Sequence, residues 1–462
     1  MNEPNNSSQP SRREFIKTTG KMAAVSALAG LTVPHVHGAE GNTINVALIG
    51  CGGRGTGAAE NALSVKSAPL KLVAMADVFE HKLNGSYRGI KNSRVGSKVD
   101  VPDERKFIGF DAYQKAIDCL RPGDIAIFTS PLAFRWVHFA YAIEKKVHVF
   151  MEKPLTADGP TSRRLIQLAK EADAANLKVG VGLMSRHSKP MQELHKRIED
   201  GEIGDIILMR GYRMHGPVGS FASTPKPDGM SDLMWQISRF HSFLWASGGS
   251  YSDFLIHHVD HCCWMKNGWP VKAQGLGGRH YKESPEGQPY VDQNFDTYSV
   301  EYVFDDGARF IMDGRCMTGC NDIYSSYAQG TKGSAIIARH GDIGTPSMTF
   351  KGHKQGRQDL IWQSTDTSNP YQNEWDALVE AILSNTPYNE VERGVYSSLV
   401  TSMGRVAAHS GQEITFEDML NSEHEYAPGV DKLTMDSPSP LPADERGHYP
   451  QPKPGLLGKR EY

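Results

Sequence analysis

Two rhythms of apolar and polar positions divide this chain. From Thr43 onward, short apolar runs rich in β-branched residues alternate with longer amphipathic stretches. Residues 43–50 read as a buried strand ending in glycine, 58–65 as a helix, and 70–76 as a second buried strand closed by Asp77. Helices over 111–120, 136–145 and 161–176 then alternate with strands over 124–129, 147–151 and 178–183. Residues 81–106 read as a polar insertion. After about Ser185 the spacing changes. A helix over 189–200 is followed by strand-like runs at 206–212, 272–276, 297–304, 308–316 and 334–338, too close together for crossover helices. Helices are expected at 249–266, 374–384 and 397–410. The last 35 or so residues are rich in Pro, Asp and Gly and read as a surface-wrapping or disordered tail.

The pattern predicts a doubly wound parallel Rossmann sheet over 41–184, then an α/β domain over 185–420 with a large, open, mainly antiparallel sheet, and a Pro-rich surface tail over 421–462. The first 40 residues stand apart. Ser11-Arg12-Arg13-Glu14-Phe15-Ile16-Lys17 is a twin-arginine signature, residues 22–33 are mildly apolar, and Val36-His37-Gly38 offers a cleavage site. The expectation is a protein exported by the twin-arginine route to the periplasm. The apolar run is too short to span a bilayer, and no Cys follows it to carry a lipid, so no stable membrane anchor is expected.

Composition narrows the function classes. The chain has 462 residues, 39% hydrophobic and 22% charged, with a formal charge of -3. No strong field favours nucleic acid or anionic lipid as a partner. The six cysteines include an adjacent pair, Cys262 and Cys263. Cys316 and Cys320 would lie out of bonding reach on one extended strand. Free thiols are expected.

Candidate chemistry begins at the first turn. The strand through Ile49 runs into Gly50-Cys51-Gly52-Gly53-Arg54-Gly55, which contains G-x-G-x-x-G. Gly50 permits the tight turn, Gly52 lets a diphosphate approach the backbone, and Gly55 lets the helix pack on the sheet. Asp77 ends the next strand, 27 residues beyond Gly50, where a carboxylate binds ribose hydroxyls and repels a 2′-phosphate. NAD is therefore expected over NADP. Arg54 is a candidate for adenine or phosphate.

Further along, Thr129-Ser130-Pro131, Glu152-Lys153-Pro154 and Asp253-x-x-x-His257-x-x-Asp260 resemble the Gfo/Idh/MocA oxidoreductases, as do Gly201-x-Ile203-Gly204, Gly330-Thr331-Lys332-Gly333 and the helix through Arg405. That family includes glucose–fructose oxidoreductase and inositol dehydrogenase. The resemblance covers about residues 43–417. It implies that Lys153 lies beside the nicotinamide and the reacting carbinol, that Asp253 and His257 come from the second domain, and that the Lys153–Pro154 bond is cis.

The residue chemistry is consistent with those roles. His257 can take a hydroxyl proton near neutral pH, Lys153 can donate to a developing alkoxide, and Asp253 lies one helical turn before His257. The cofactor contacts expected are Gly50, Gly52, Gly53, Arg54, Gly55, Asp77, Thr129, Ser130, Pro131, Arg135, Glu152, Lys153 and Arg186. Arg135 stands where many family members have a histidine. Lys153, Asp253, His257, His258, Trp235 and Arg239 are candidates for the substrate, with His241 and Trp245 nearby. A metal at His257, His261, Cys262 and Cys263 is conceivable by spacing, but no metal is expected.

An exported nicotinamide enzyme has no ready pool of soluble cofactor, so the dinucleotide is expected to stay bound and be regenerated in place. Two schemes meet that demand: alternating oxidation of a sugar or polyol and reduction of a second carbonyl, or transient sugar oxidation with elimination and return of hydride, a net glycoside hydrolysis. Dehydrogenation is the commoner family activity. A non-catalytic sugar-binding protein is the rival from another class. The resemblance and the open sheet imply a homo-oligomer.

Overall fold

The computed structural model describes residues 43–341 and 346–462. The twin-arginine segment lies outside them. The first sheet contains β1 (Ile44–Ile49), β2 (Leu70–Asp77), β3 (Lys106–Ile108), β4 (Ile125–Phe128), β5 (His148–Met151) and β6 (Val179–Val181). All pairs are parallel, in the order β3-β2-β1-β4-β5-β6. The order reverses between β1 and β4, which opens a crevice at the carboxyl ends of those strands. Ala58, Ala59, Ala62 and Leu63 cover one face of the sheet, and Phe139, Ala142, Leu165 and Ala169 the other.

The segment 81–106 is not an insertion. It holds the helix Glu80–Lys91, which buries only Leu83, Ser86 and Ile90, and leads into the edge strand β3. Its apolar stripe is thin enough to read as polar in sequence.

The second sheet contains β7 (Ile206–His215), β8 (Lys272–Gly278), β9 (Thr297–Val303), β10 (Arg309–Cys316), β11 (Ile323–Gly330), β12 (Gly333–Arg339), β13 (Met348–Lys351), β14 (Leu360–Gln363) and β15 (Ile414–Thr415). Its order is β14-β13-β12-β11-β7-β10-β9-β8-β15. Only β7 and β10 pair parallel; the other neighbours are antiparallel. In β9 and β10 alternate residues are buried, so Val300, Tyr302, Phe310 and Met312 face the core. The helices Gly249–Lys266 and Val391–Ser410 pack on that face. The two glycine motifs meet at one corner, where Lys332 N–H donates to Ile203 O at 2.9 Å. A Cβ on Gly330 would sit 2.2 Å from the same oxygen.

The later part of the chain returns to the first sheet. The helix Pro370–Ser384 stacks Trp375 on Phe150 of β5, with ring centroids 4.5 Å apart, and Glu390 N–H donates to Val179 O of β6. The last segment is also tied down rather than loose. Tyr426, Val430, Leu441 and Tyr449 are buried in one cluster with Leu132, Phe134, Trp235 and Phe243. Glu461 is buried between Arg405 (2.9 Å) and His409 (2.7 Å), and also accepts from Tyr426 Oη. The six cysteines are free, and among the described residues no helix is long and apolar enough to cross a membrane.

Candidate functional site

At the crevice, Gly50 has φ +96° and Gly55 lies under it; a Cβ on Gly55 would be 2.1 Å from Gly50 O. Gly52 is the N-cap of the helix Gly53–Ser64 and offers no side chain to its amides. A Cβ at Gly52 or Gly53 would meet nothing within 4 Å, so the space before this helix end is open. A helix end with bare amides and room in front of it is a seat for an anion such as a diphosphate. Asp77 is fixed at the lip: Cys51 N–H donates to Oδ2 at 2.6 Å and Phe79 N–H to Oδ1 at 2.8 Å. Thr129 Oγ1 closes the turn from the β4 side by donating to Gly50 O.

These residues open onto a cleft of about 710 Å³ that includes its mouth. Gly50, Gly52, Asp77, Thr129, Ser130 and Pro131 line one part of it, and Phe79, Lys82, Phe110, Tyr113, Phe134 and His138 another. Ile237 and Phe240 close it from a cap built by the helices Asp232–Ser238 and Leu244–Ser247. The C-terminal segment staples that cap: Gln236 Nε2 donates to Leu441 O at 2.7 Å, and Tyr449 Oη donates to Asp232. His138 is pushed down to about 3 by burial and by Arg135 beside it, so the cleft wall carries a neutral imidazole at physiological pH.

Beside the cleft the two sheets meet. Lys153 follows β5 and begins a cis bond to Pro154. Its Nζ donates to Asp253 O at 2.7 Å and lies 3.4 Å from Asp253 Oδ1. Asp253 and His257 sit one turn apart on the helix Gly249–Lys266, both nearly buried. His241 Nε2 approaches Asp253 Oδ2 at 3.5 Å. An ammonium, a carboxylate and the His241 imidazole thus gather at the carboxyl edge of the parallel sheet, with His257 one helical turn from Asp253, a set able to hold a hydroxyl and move its proton.

Other expected contacts are spent elsewhere. Arg54 Nε lies 2.7 Å from Glu152 Oε1, and its guanidinium stacks on Tyr371 at 4.7 Å, so these two candidates bind each other and neither lines the aromatic cleft. Burial opposes the charge of Arg54, but Glu152 and Glu374 hold its proton affinity above the ordinary value. Arg135 is fully buried and donates to Phe128 O at 2.7 Å; burial pushes it down to about 10. It sits at the carboxyl end of β4, within electrostatic reach of Glu152 and Asp253, which act against the effect of burial. Arg186 forms a two-pronged pair with the buried Asp260, at 2.9 Å, and stacks on Trp264.

His258 projects from the far side of its helix into the core, stacked on Tyr324 at 4.9 Å, and cannot meet a substrate. Trp235 is buried in the cap cluster. Arg239 stacks on it at 5.5 Å and donates to Ser223 Oγ and Ala222 O. Trp245 is fully buried and donates to Gln236 Oε1. These three shape the cap and do not converge on Asp253. Sequence reasoning missed Lys82, Phe110, Tyr113, His138, Ile237 and Phe240 as cleft residues. Only Lys82 carried a signal, as a cation five residues after Asp77. Among the described residues no three His, Cys, Asp or Glu side chains group as metal ligands.

No protein-family profile matches the chain. An inositol 2-dehydrogenase of Corynebacterium glutamicum is 30% identical over 96 residues, which is 21% of this chain and 28% of that protein, so the match spans under a third of the relative's length. Solved structures are alike over 81% of this chain. They include scyllo-inositol dehydrogenase from Lactobacillus casei with NAD(H) and scyllo-inositol (TM-score 0.57, 21% identity, 99% of that chain). Aldose-aldose oxidoreductase from Caulobacter crescentus with glycerol is similar (0.60, 17%, 99%), as is levoglucosan dehydrogenase with NADH and levoglucosan (0.60, 18%, 99%). At these identities the likeness establishes a shared fold: a parallel Rossmann-like sheet followed by a mixed, mainly antiparallel one.

Proposed function

We propose that this protein is a nicotinamide-dependent oxidoreductase that moves hydride to or from a hydroxyl-bearing carbon of a sugar or polyol. The observation that carries the reading is the contact of Lys153 with Asp253 across the two sheets, beside a glycine turn with bare helix amides. The residues fit a dinucleotide: the amides after Gly52 suit its diphosphate, Asp77 suits a ribose diol, and the aromatic cleft suits an adenine. Asp77 favours NAD over NADP. When bound, the nicotinamide supplies the hydride acceptor or donor.

The chain's own residues do the rest. Lys153 donates a hydrogen bond to the substrate oxygen and stabilises the charge that grows there as the carbinol proton departs. His257 takes that proton. Asp253 orients the ammonium and accepts a second hydroxyl, which suits a polyol over a simple alcohol. The cap above the cleft restricts cofactor escape, in keeping with a dinucleotide that is regenerated in place by a second carbonyl substrate. Inositol and sugar dehydrogenases among the similar proteins support the substrate class.

The decisive experiment mixes the purified protein with a panel of pyranosides and polyols and follows the absorbance of reduced nicotinamide. Reduction of bound or added NAD by at least one polyol is expected; a protein that binds sugars but carries and uses no dinucleotide refutes the reading.

Two further parts of the proposal concern where and how the protein works. Export by the twin-arginine route rests on Arg12 and Arg13; replacing both with Lys should trap the protein in the cytoplasm, read by cell fractionation. A homo-oligomer through the open face of the second sheet rests on the half-exposed alternate residues of β9 and β10 and on the 71% exposure of Leu276. Light scattering giving a monomer mass would remove it.

A further inference from the structure

We infer that His241 is a positioning residue of the proposed reaction, holding one oxygen of Asp253 with its Nε2–H so that the other oxygen faces Lys153. The inference rests on the reading above for its catalytic meaning, but its geometry stands alone. His241 lies in the short turn Phe240–Ser242 beside the cap. Its ring is held by hydrogen bonds at one end and faces Asp253 with the other. Nδ1 accepts from Ser220 N–H at 3.2 Å, with Ser220 Oγ 3.0 Å away, while Ser220 Oγ accepts from His241 N–H at 3.3 Å. At the other end Nε2 lies 3.5 Å from Asp253 Oδ2.

A neutral imidazole carries one ring proton, and a nitrogen that accepts a backbone N–H does not carry it. The proton of His241 is therefore on Nε2, directed at the carboxylate. An imidazolium would set a second N–H against that of Ser220. Burial lowers the proton affinity of the ring, and Lys153, Arg239 and Lys82 act in the same sense while Asp253 opposes them. His241 thus has no free lone pair for a substrate proton, which separates its part from that of His257.

The seat is tight. Gly219 has φ +56°, and a Cβ there would lie 2.6 Å from His241 Cε1, so the loop passes the ring only as glycine. The consequence falls on Asp253, whose two oxygens each face a donor from a different element: Lys153 from the first sheet and His241 from the cap. Such contacts tighten as a ligand closes the site.

Two variants and one spectrum test this. His241→Gln puts an amide N–H near the Nε2 position; His241→Leu removes the donor and keeps an apolar side chain. His241→Leu should lower kcat about tenfold to a hundredfold, with dinucleotide affinity unchanged, as expected when a catalytic group loses its orientation. His241→Gln should recover most of that loss. Both should keep the acid-side limb of the kcat–pH profile, because the group that titrates there is not His241. Wild-type kcat in His241→Leu, no recovery in His241→Gln, or disappearance of the limb in either variant would each overturn the inference.

The spectrum needs no turnover. In long-range proton–nitrogen spectra of histidine-labelled protein, the signal missing from His241→Gln should be a neutral ring protonated on Nε2 at neutral pH. A ring protonated on Nδ1, or on both nitrogens, refutes the assignment. If no polyol reduces NAD in the wild-type protein, the functional reading fails by itself and this spectrum still decides the state of His241.

Discussion

Lys153 reaches across from the end of β5 and donates to the main-chain oxygen of Asp253, 2.7 Å away on a helix of the second sheet. The bond joins residues one hundred positions apart. Because the acceptor is a carbonyl, the ammonium stays anchored even when the Asp253 carboxylate turns to a ligand, leaving its other protons free to donate.

Replacing that ammonium should separate chemistry from folding. Lys153→Met keeps the aliphatic stem and loses the charge. We expect turnover to fall about a hundredfold or more, with little change in melting temperature. Initial rates and a thermal melt on the same preparation check it; near-normal rates remove Lys153 from the mechanism.

Asp77 should set cofactor choice. Its carboxylate accepts from two backbone amides and remains at the lip of the cleft. Asp77→Ala loses a charge-assisted hydrogen bond worth about 1.5–3 kcal/mol, so NAD should bind about ten- to a hundredfold more weakly. The preference over NADP should shrink or reverse, because the repelling charge is gone. Binding titrations with both dinucleotides measure it.

The buried imidazoles should make the protein sensitive to acid. Burial holds His258 neutral, and His138 titrates only at about 3. An unfolded histidine binds its proton near pH 6.5. Below that value the unfolded chain takes up protons that the folded chain refuses. This part of the stability is therefore complete above the unfolded pKa and is lost as pH falls toward the folded one. Each such residue adds a slope of about 1.4 kcal/mol per pH unit. His258→Leu should flatten the slope by one proton and leave turnover intact, read from denaturant titrations between about pH 7 and pH 5.

Glu461 should act as the pin of the C-terminal segment. Its carboxylate is held well below the ordinary range: burial opposes this, and Arg405 and His409 prevail. Glu461→Ala leaves Arg405 buried without its counter-ion, a change that costs about 3–5 kcal/mol. We expect a matching loss in chemical denaturation and faster release of bound NAD, because the same segment staples the cap at Gln236 and Asp232. Unchanged stability would show that the pin carries no load.

Much of this was written along the chain. The runs at β1, β2, β4 and β5 are apolar through their length because both faces of a parallel sheet are covered, and that pattern survives without knowledge of neighbours. Gly50 and Gly55 announced a turn at whose positions only glycine fits, and Gly52 the open space before the helix end. Lys153 and Asp253 came from motif resemblance, and the structure brings them into contact. The strand β11 was less legible because its Tyr, Ser and Gln carry little periodicity, and β13 to β15 because they are only two to four residues long.

The sequence by itself determined the local matters: which stretches are buried strands, where the glycine turn falls, and which carboxylate follows the second strand. These depend on neighbours within a few residues, whose preferences add up locally. Only the tertiary structure decided how charges pair. Arg54 with Glu152, Arg186 with Asp260 and Arg405 with Glu461 each satisfy a buried or half-buried ion with a partner far away in the chain. A buried charge must find such a partner, but its residue type does not say which, so the pairing of Arg186 with Asp260 is visible only in the packing.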